Sequence, residues 1–163
     1  MKLALLEMGG TINGILDREQ AVPTDSRVLA WLNQHRPDVS PVMTTIAMKD
    51  SRAVNDDDRA ALLSAIRESN CQQVLIPHGT YTMPETGRDL IRELAEEAHN
   101  KSVLLVGSLV PLGEPDSDGP QLLELALSAL VRREPGVQIA MSGRLWHPEK
   151  VRKDPATGAY VPG

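Results

Sequence analysis

Hydroxyl-bearing side chains crowd into one short stretch in the middle of the chain, residues 78–83. The stretch is HGTYTM, so it holds a histidine, two threonines and a tyrosine within six residues. It follows the apolar run 74–76, which is typical of a buried strand, and precedes Pro84, which suits the first turn of a helix. A strand-to-helix turn of this kind places hydroxyls at the carboxyl edge of a sheet, where open α/β folds bind ligands. The stretch is therefore the first candidate site.

A second candidate loop follows the first apolar segment of the chain. Gly9, Gly10 and Thr11 come directly after residues 2–7, and paired glycines let the backbone approach a ligand closely. Residues 9–14 are GGTING, which lacks the spacing of a dinucleotide-binding fingerprint and the Gly-Lys-Ser/Thr of a P-loop. A plain tight turn explains this motif equally well when it is taken alone.

The elements that must position these loops are strands alternating with amphipathic helices. Predicted strands span residues 2–7, 41–47, 73–77, 102–106 and 137–141. Helices are predicted after a cap at Thr24 or Asp25, after a cap at Asn55 or Asp56, from Pro84 with an apolar stripe through Leu90, Leu94, Ala95 and Ala98, and from Pro120 to Leu130. Residues 145–163 are expected to form an irregular hairpin or tail. The pattern predicts a doubly wound, three-layer αβα domain with a mostly parallel sheet of about five strands.

Composition narrows the classes of partner. The chain has 163 residues, no Phe, two Trp, two Tyr and a net charge of −5. Nucleic-acid surfaces need clustered basic residues or aromatic stacking platforms, so we expect no nucleic-acid partner. The apolar start, residues 1–6, is too short for a signal peptide or a membrane span, and the single Cys71 excludes an intrachain disulfide. We expect a cytoplasmic protein of one domain, residues 1–163, with no membrane contact.

A metal or cofactor site is not predicted. The four histidines, His35, His78, His99 and His147, have no second histidine or cysteine three or four residues away. The acidic run 56–58 is better explained as a helix start, where carboxylates complement the helix dipole.

Four motifs taken together resemble the L-asparaginase/glutaminase family. They are GGTI at 9–12, HGT-x-T-M at 78–83, VGSLVPLGEPDSDGP at 106–120 and VRK at 151–153, in the order of that family. The resemblance covers essentially the whole chain and implies the fold of the family's larger N-terminal domain. It also implies that the family's smaller C-terminal domain is absent, in which case an apolar face left uncovered would favour a homodimer.

The resemblance assigns catalytic roles to three residues. Thr11 matches the family nucleophile, Thr80 matches the second threonine, and Lys153 matches the lysine that works with it. This chemistry is sound because a hydroxyl is a weak nucleophile until a base takes its proton, and a lysine with a pKa lowered by desolvation is such a base.

Substrate-binding roles follow from the same resemblance. Ser51 resembles the serine that holds the substrate carboxylate, and Gly10 allows close backbone approach. The backbone N–H groups of Gly79 and Thr80 are candidates for an oxyanion hole. Tyr81 departs from the family pattern, which has an aspartate at this position. A phenol does not offset an ammonium charge, and the charged hydrogen bond that it replaces is worth roughly 1.5–3 kcal/mol.

Loop 12–25 is a second departure, because it lacks the family's tyrosine. Tyr81 either returns a phenol to the pocket from another position or simply fills the pocket. The first expectation for function is a threonine-dependent amidohydrolase acting on asparagine or a related small amide, with weak or altered activity. The alternative is a catalytically impaired relative that binds a small ligand or a protein partner.

Overall fold

Five parallel strands and one antiparallel edge strand form the central sheet, in the order β2-β1-β3-β4-β5-β6. The computed structural model describes the backbone of all 163 residues and every side chain except those of residues 98 and 99. The strands of the sheet are β1 Lys2–Gly9, β2 Ser40–Lys49, β3 Gln73–Pro77, β4 Ser102–Val106, β5 Gly136–Met141 and β6 Arg144–Trp146. A separate antiparallel hairpin consists of β7 Val151–Lys153 and β8 Tyr160–Pro162.

Four α-helices connect the parallel strands: α1 Arg27–His35, α2 Asp56–Glu68, α3 Met83–Leu94 and α4 Gly119–Val131. Every residue of β3 and β4 is buried, which means that both faces of the sheet are covered there. Helix α2 packs beside α3, while Arg36 at the end of α1 pairs with Glu124 of α4. The predicted α/β class with a mostly parallel sheet is confirmed.

Capping side chains determine where helices α1 and α2 begin. Asn55 caps α2 through a capping box with Asp58, as one of the two predicted caps. The predicted cap of α1 was wrong: Ser26, rather than Thr24 or Asp25, accepts a hydrogen bond from Leu29 N–H.

Helix α3 ends earlier than its apolar spacing predicts. Ala95 has a φ of 41°, in the left-handed region, so the α-helix stops at Leu94 and a 3₁₀ segment follows. Ala98 was predicted to belong to the apolar stripe of this helix, and His99 is one of the four histidines. The side chains of both residues lie outside the described part of the structure.

The C-terminal region is more ordered than an irregular tail. Strand β6 pairs antiparallel with β5, and the hairpin β7–β8 then turns back towards the sheet, where Tyr160 is buried. Among the described residues, no helix has the length and apolar character needed to cross a membrane. The hairpin matters for the site because it carries Lys153.

Candidate functional site

The carboxyl ends of four parallel strands meet at one edge of the sheet. Thr11 follows β1, Ser51 follows β2, Thr80 follows β3 and Ser108 follows β4. Parallel pairing of adjacent strands brings these loops together, because all four strands end on the same side.

A pocket of about 550 Å³ opens at this edge. We call it the edge pocket; it is lined by Thr11, Leu16, Thr80, Tyr81, Ser108, Leu109, Lys153, Pro155 and Gly158. Four of the seven sequence-predicted site residues, Thr11, Thr80, Tyr81 and Lys153, therefore share one cavity.

A short hydrogen bond in the edge pocket joins Lys153 to Thr80. Lys153 Nζ donates to Thr80 Oγ1 at 2.5 Å, although the two residues are 73 positions apart in the chain. Burial lowers the pKa of Lys153, the nearby Arg52 charge lowers it further, and Asp50 opposes the shift. A lowered pKa increases the fraction of neutral amine near pH 7, which is the form that takes a proton.

Tyr160 anchors the hairpin to the loop that carries Thr80. Its phenol Oη donates to the backbone carbonyl of Thr80 at 2.7 Å, and burial raises the pKa of the phenol above its usual range. The phenol therefore stays protonated and fixes the distance between β8 and the loop after β3. The role of Tyr160 was not predicted from the sequence, where it stands as an isolated tyrosine seven positions after Lys153.

Tyr81 lies at the mouth of the edge pocket with 54% of its surface exposed. Two cations contact its ring: Lys153 Nζ is 3.9 Å from the ring centroid, and Arg52 Cζ is 4.3 Å from it. Such contacts stabilise charged amines and guanidiniums. The ring therefore holds the lysine side chain in place while favouring its protonated form.

Asp50 and Arg52 form a tight pair beside Tyr81. Arg52 Nη2 lies 2.6 Å from Asp50 Oδ2 and Arg52 Nε 3.0 Å from Oδ1, so both carboxylate oxygens are engaged. The hydrogen bonds from Arg52 hold the pKa of Asp50 below its usual range. This pair was not predicted, because the polar composition of the loop was its only signal in the sequence.

Ser51 serves the scaffold in this structure and does not line the edge pocket. Its side chain is buried, its hydroxyl accepts a hydrogen bond from Thr82 N–H at 3.1 Å, and its carbonyl accepts one from Thr82 Oγ1 at 2.8 Å. These bonds connect the loop after β2 to the start of α3. The predicted contact between Ser51 and a substrate carboxylate stays a prediction.

Gly10 and Gly79 lie behind the pocket wall, where two loops touch. A Cβ on Gly10 would lie 2.4 Å from Gly79 N, and one on Gly79 would lie 2.6 Å from Ser51 Cβ. Gly10 also has a φ of 83°, which favours glycine. Gly10 thus allows the loop carrying Thr11 to pack against the backbone of the loop carrying Thr80, and Gly79 allows the loop carrying Ser51 to approach from the other strand.

His78 holds the Gly79 peptide from within the core. Its Nδ1 is 2.8 Å from Gly79 O and its Nε2 is 2.9 Å from Thr86 Oγ1, and burial lowers the pKa of the imidazole to about 4. Because the imidazole is neutral near pH 7, Nδ1 donates to the carbonyl and Nε2 accepts from the hydroxyl. His78 is therefore a structural histidine that orients the loop.

Glu7 anchors the loop that carries Thr11. This carboxyl at the end of β1 is fully buried; Asn13 Nδ2 donates to its two oxygens at 2.9 and 3.1 Å, and Ser26 Oγ donates to Oε2. Burial raises the pKa of Glu7 to about 7, against the opposing effect of these hydrogen bonds. Asn13 in turn accepts from Arg27 N–H at 2.9 Å, which connects the loop to α1.

The described residues contain no group of three or more histidine, cysteine, aspartate or glutamate side chains suited to a metal ion. A larger groove of about 1020 Å³ lies between α1 and α4, with Trp31 and Leu112 among its lining residues. It contains neither Thr11 nor Lys153, so the chemistry argued above belongs to the edge pocket.

Comparison with known proteins points to one family. A family model described as asparaginase, N-terminal, matches residues 2–160. An L-asparaginase of Thermococcus kodakarensis is 28% identical over 159 residues, which cover 94% of this chain and 48% of that protein.

Two solved structures have the same fold. The probable cytoplasmic L-asparaginase from Campylobacter jejuni superposes with a TM-score of 0.80 at 28% identity, covering 99% of this chain and 52% of that chain. The thermostable L-asparaginase from Thermococcus kodakarensis gives a TM-score of 0.81 at 27% identity, covering 99% of this chain and 51% of that chain. The chain spans about half the length of these relatives.

Proposed function

Because the chain belongs to the asparaginase family through its match to the N-terminal domain over residues 2–160, we propose that it hydrolyses a small carboxamide with Thr11 as nucleophile. The observation that carries the proposal is the 2.5 Å hydrogen bond between Lys153 Nζ and Thr80 Oγ1 in the pocket that also contains Thr11. A base in contact with one hydroxyl, beside a second hydroxyl, is the arrangement that threonine-dependent acyl transfer requires. The match supports residues 1–163 as one N-terminal-type domain.

In the first half-reaction, Thr11 Oγ1 attacks the amide carbonyl carbon. The hydroxyl proton passes to the neutral amine of Lys153 with Thr80 between them, and Lys153 then gives that proton to the leaving nitrogen. The C–N bond breaks, ammonia departs, and an ester to Thr11 remains. Water attacks the ester in the second half-reaction, its proton passes to Lys153 and on to Thr11 Oγ1, and the carboxylic acid product leaves.

Two features stabilise this reaction in the proposal. The N–H groups of Gly79 and Thr80 donate to the oxygen that becomes negative in the tetrahedral intermediate, and preorganised donors of this kind are typically worth 10²–10³ in rate. His78 keeps the Gly79 peptide in one orientation through its 2.8 Å contact with Gly79 O. Ser51 would hold a substrate carboxylate after a change in its bond with Thr82.

The test is ammonia release from a panel of small amides, with the protein and with Thr11→Ala. We expect release by the wild type and a loss of at least 10³-fold in Thr11→Ala, because no other step replaces the ester. Lys153→Met should lose about 10²-fold or more through the missing base. Thr44→Ala, a change at an exposed threonine of β2, is the matched control and should keep full activity.

Equal release by wild type and Thr11→Ala on every amide would overturn the proposal. That result would instead favour the second candidate function, a protein that binds a small ligand without turnover. The observation in its favour is the Tyr81 ring 3.9 Å from Lys153 Nζ, because a ring at this distance stabilises the protonated amine, which cannot act as a base.

Two further properties belong to the proposal. A cytoplasmic location is supported by the relative from Campylobacter jejuni that is described as cytoplasmic. A homodimer is supported by β2, an edge strand paired only with β1, on which Val42 and Met43 are exposed. Such an edge offers unpaired backbone groups to a second copy.

A further inference from the structure

The edge pocket has an unbalanced charge inventory. Among its lining residues, all of which the structure describes, Lys153 is the one basic side chain, and none is aspartate or glutamate. A ligand group placed there therefore meets a cation, the hydroxyls of two threonines and one serine and the Tyr81 phenol, but no carboxylate.

The acidic group that acts on the pKa of Lys153 is already paired. Asp50 influences the pKa of Lys153, so it lies within electrostatic reach of the pocket, but its two oxygens are held by Arg52 at 2.6 and 3.0 Å. Asp50 also accepts from Arg52 N–H at 2.9 Å and is buried. Freeing it for a ligand ammonium would leave the Arg52 guanidinium without its partner, which is unfavourable.

The aromatic ring offers no substitute for a carboxylate. Tyr81 already has Lys153 Nζ at 3.9 Å and Arg52 Cζ at 4.3 Å from its centroid. A third cation at this ring would be repelled by both like charges and would lose its hydration without a counter-charge. An ammonium-bearing ligand thus meets no counter-charge among the lining residues and is repelled at the Tyr81 ring.

The remaining walls suit an apolar body. Leu16 and Leu109 are exposed at the pocket, and Pro155 lies beside them on the loop between β7 and β8. A methylene chain removed from water against such side chains gains about 0.8 kcal/mol for each buried CH₂.

We propose that the edge pocket takes small primary amides that carry no ammonium group and discriminates against α-amino acid amides. The inference rests on the proposed function for the reaction, amide hydrolysis. The preference for ligands without an ammonium group concerns binding alone. A carboxylate at the far end of the ligand is tolerated, because Lys153 and the Arg52 side of Tyr81 are cationic.

A matched pair of amides tests the inference. Asparagine and succinamate share the amide, the chain length and the carboxylate, and differ only in the ammonium group. We expect kcat/KM for succinamate to exceed that for asparagine by at least tenfold. Tyr81→Asp supplies the missing carboxylate and should reduce this ratio at least tenfold, while Tyr81→Phe, which adds no charge, should keep the wild-type preference. Because Tyr81 is half exposed, both variants should fold, and their ¹H–¹⁵N spectra check this.

A binding measurement separates the inference from the proposed reaction. Both amides are titrated into ¹⁵N-labelled Thr11→Ala, and the shifts of Gly79, Thr80 and Tyr81 are followed. Tighter binding of succinamate supports the inference even if the wild type releases no ammonia, in which case the proposed reaction alone fails. Equal or tighter binding of asparagine, binding of neither amide, or turnover by the wild type that favours asparagine would overturn the inference.

Discussion

Lys153 is subject to opposing influences on its proton. Burial and the Arg52 charge lower its pKa, while Asp50 and the Tyr81 ring favour the ammonium. Its ability to act as a base therefore depends on the balance of neighbours rather than on the lysine itself, and Arg52 is the neighbour that can be changed at the surface.

Removing the Arg52 charge should raise the pKa of Lys153. In Arg52→Gln the like charge is lost and Asp50 is released from its pair, and both changes favour the ammonium, so we expect the pKa of Lys153 to rise. The ¹³C shift of the Lys153 ε-carbon, followed with pH, measures this directly, and the rising limb of any pH–rate profile should move to higher pH. Arg144→Gln, at a guanidinium stacked on Trp146 instead, is the control. An unchanged or lower pKa in Arg52→Gln would contradict the prediction.

Glu7 and His78 impose opposite pH dependences on the stability. The pKa of Glu7 rises from 4.5 to about 7, so its contribution is fully present below pH 4.5 and is lost as the pH rises through 7. The pKa of His78 falls from 6.5 to about 4, so its contribution is present above pH 6.5 and is lost as the pH falls through 4. Each pKa shift corresponds to about 3 kcal/mol in the free energy of unfolding. The two pH dependences therefore nearly cancel between pH 4.5 and 6.5.

Glu7→Gln should expose the dependence due to His78. The free energy of unfolding of the variant, relative to wild type, should fall by about 3 kcal/mol as the pH is lowered from 7 to 4.5, because the variant lacks the gain that Glu7 makes on protonation. Urea unfolding at several pH values measures this difference. Glu114→Gln, at an exposed carboxylate, should show no comparable trend. A constant difference between Glu7→Gln and wild type across this range would contradict the pKa given for Glu7.

At the level of elements, the site depends on how closely the loops after β1 and β3 approach. Motif order alone predicted that Thr11, Thr80 and Lys153 act together. The adjacent parallel strands β1 and β3 bring Thr11 and Thr80 to one pocket, and the hairpin β7–β8 adds Lys153 to it. The distance between the loops could not be predicted from the sequence, because it is set by Gly10 packing on the backbone of Gly79.

The cap of α1 and the role of Tyr160 could not be predicted from the sequence either, because both depend on contacts between distant segments. The sequence predicted a cap at Thr24 or Asp25, whereas the cap is Ser26, whose hydroxyl also contacts the buried Glu7. Tyr160 belongs to a hairpin with weak local propensity, and its contact with the Thr80 carbonyl spans 80 residues. Local patterns predicted the strands and the motifs, whereas contacts between distant segments decided the walls of the pocket.

Gly10→Ala should separate these two loops. The new Cβ would lie 2.4 Å from Gly79 N at a φ of 83°, so both backbone strain and a clash with another backbone oppose it. We expect a loss of about 2 kcal/mol or more in the free energy of unfolding, together with loss of the Lys153–Thr80 contact.

Gly136→Ala provides the matched control for this change. Gly136 has a φ of 99°, but a Cβ there would meet nothing within 4 Å, so only the strain of about 1 kcal/mol applies. Urea unfolding of both variants compares them. Equal losses would mean that the packing of the two loops contributes nothing beyond backbone strain.

For the molecule as a whole, the two edges of the sheet differ in how well they are protected against pairing with another strand. Strand β6 is three residues long, whereas β2 is a ten-residue edge strand on which residues 42–45 are exposed. A long exposed edge with apolar side chains is uncommon in a monomer, because it pairs readily with another strand. This asymmetry is the physical basis for the proposed homodimer, and we expect its interface to lie at β2.

Val42→Lys should therefore weaken self-association. Val42 is 53% exposed on β2, and a two-fold axis along this edge brings the two copies of the residue into the same interface, where like charges repel. We expect the dimer dissociation constant to rise about tenfold or more, as measured by sedimentation velocity over a range of concentrations. Val131→Lys, at a similarly exposed valine at the end of α4, should leave the dissociation constant unchanged. A wild type that is monomeric at all concentrations, or an equal effect of the two substitutions, would exclude an interface at β2.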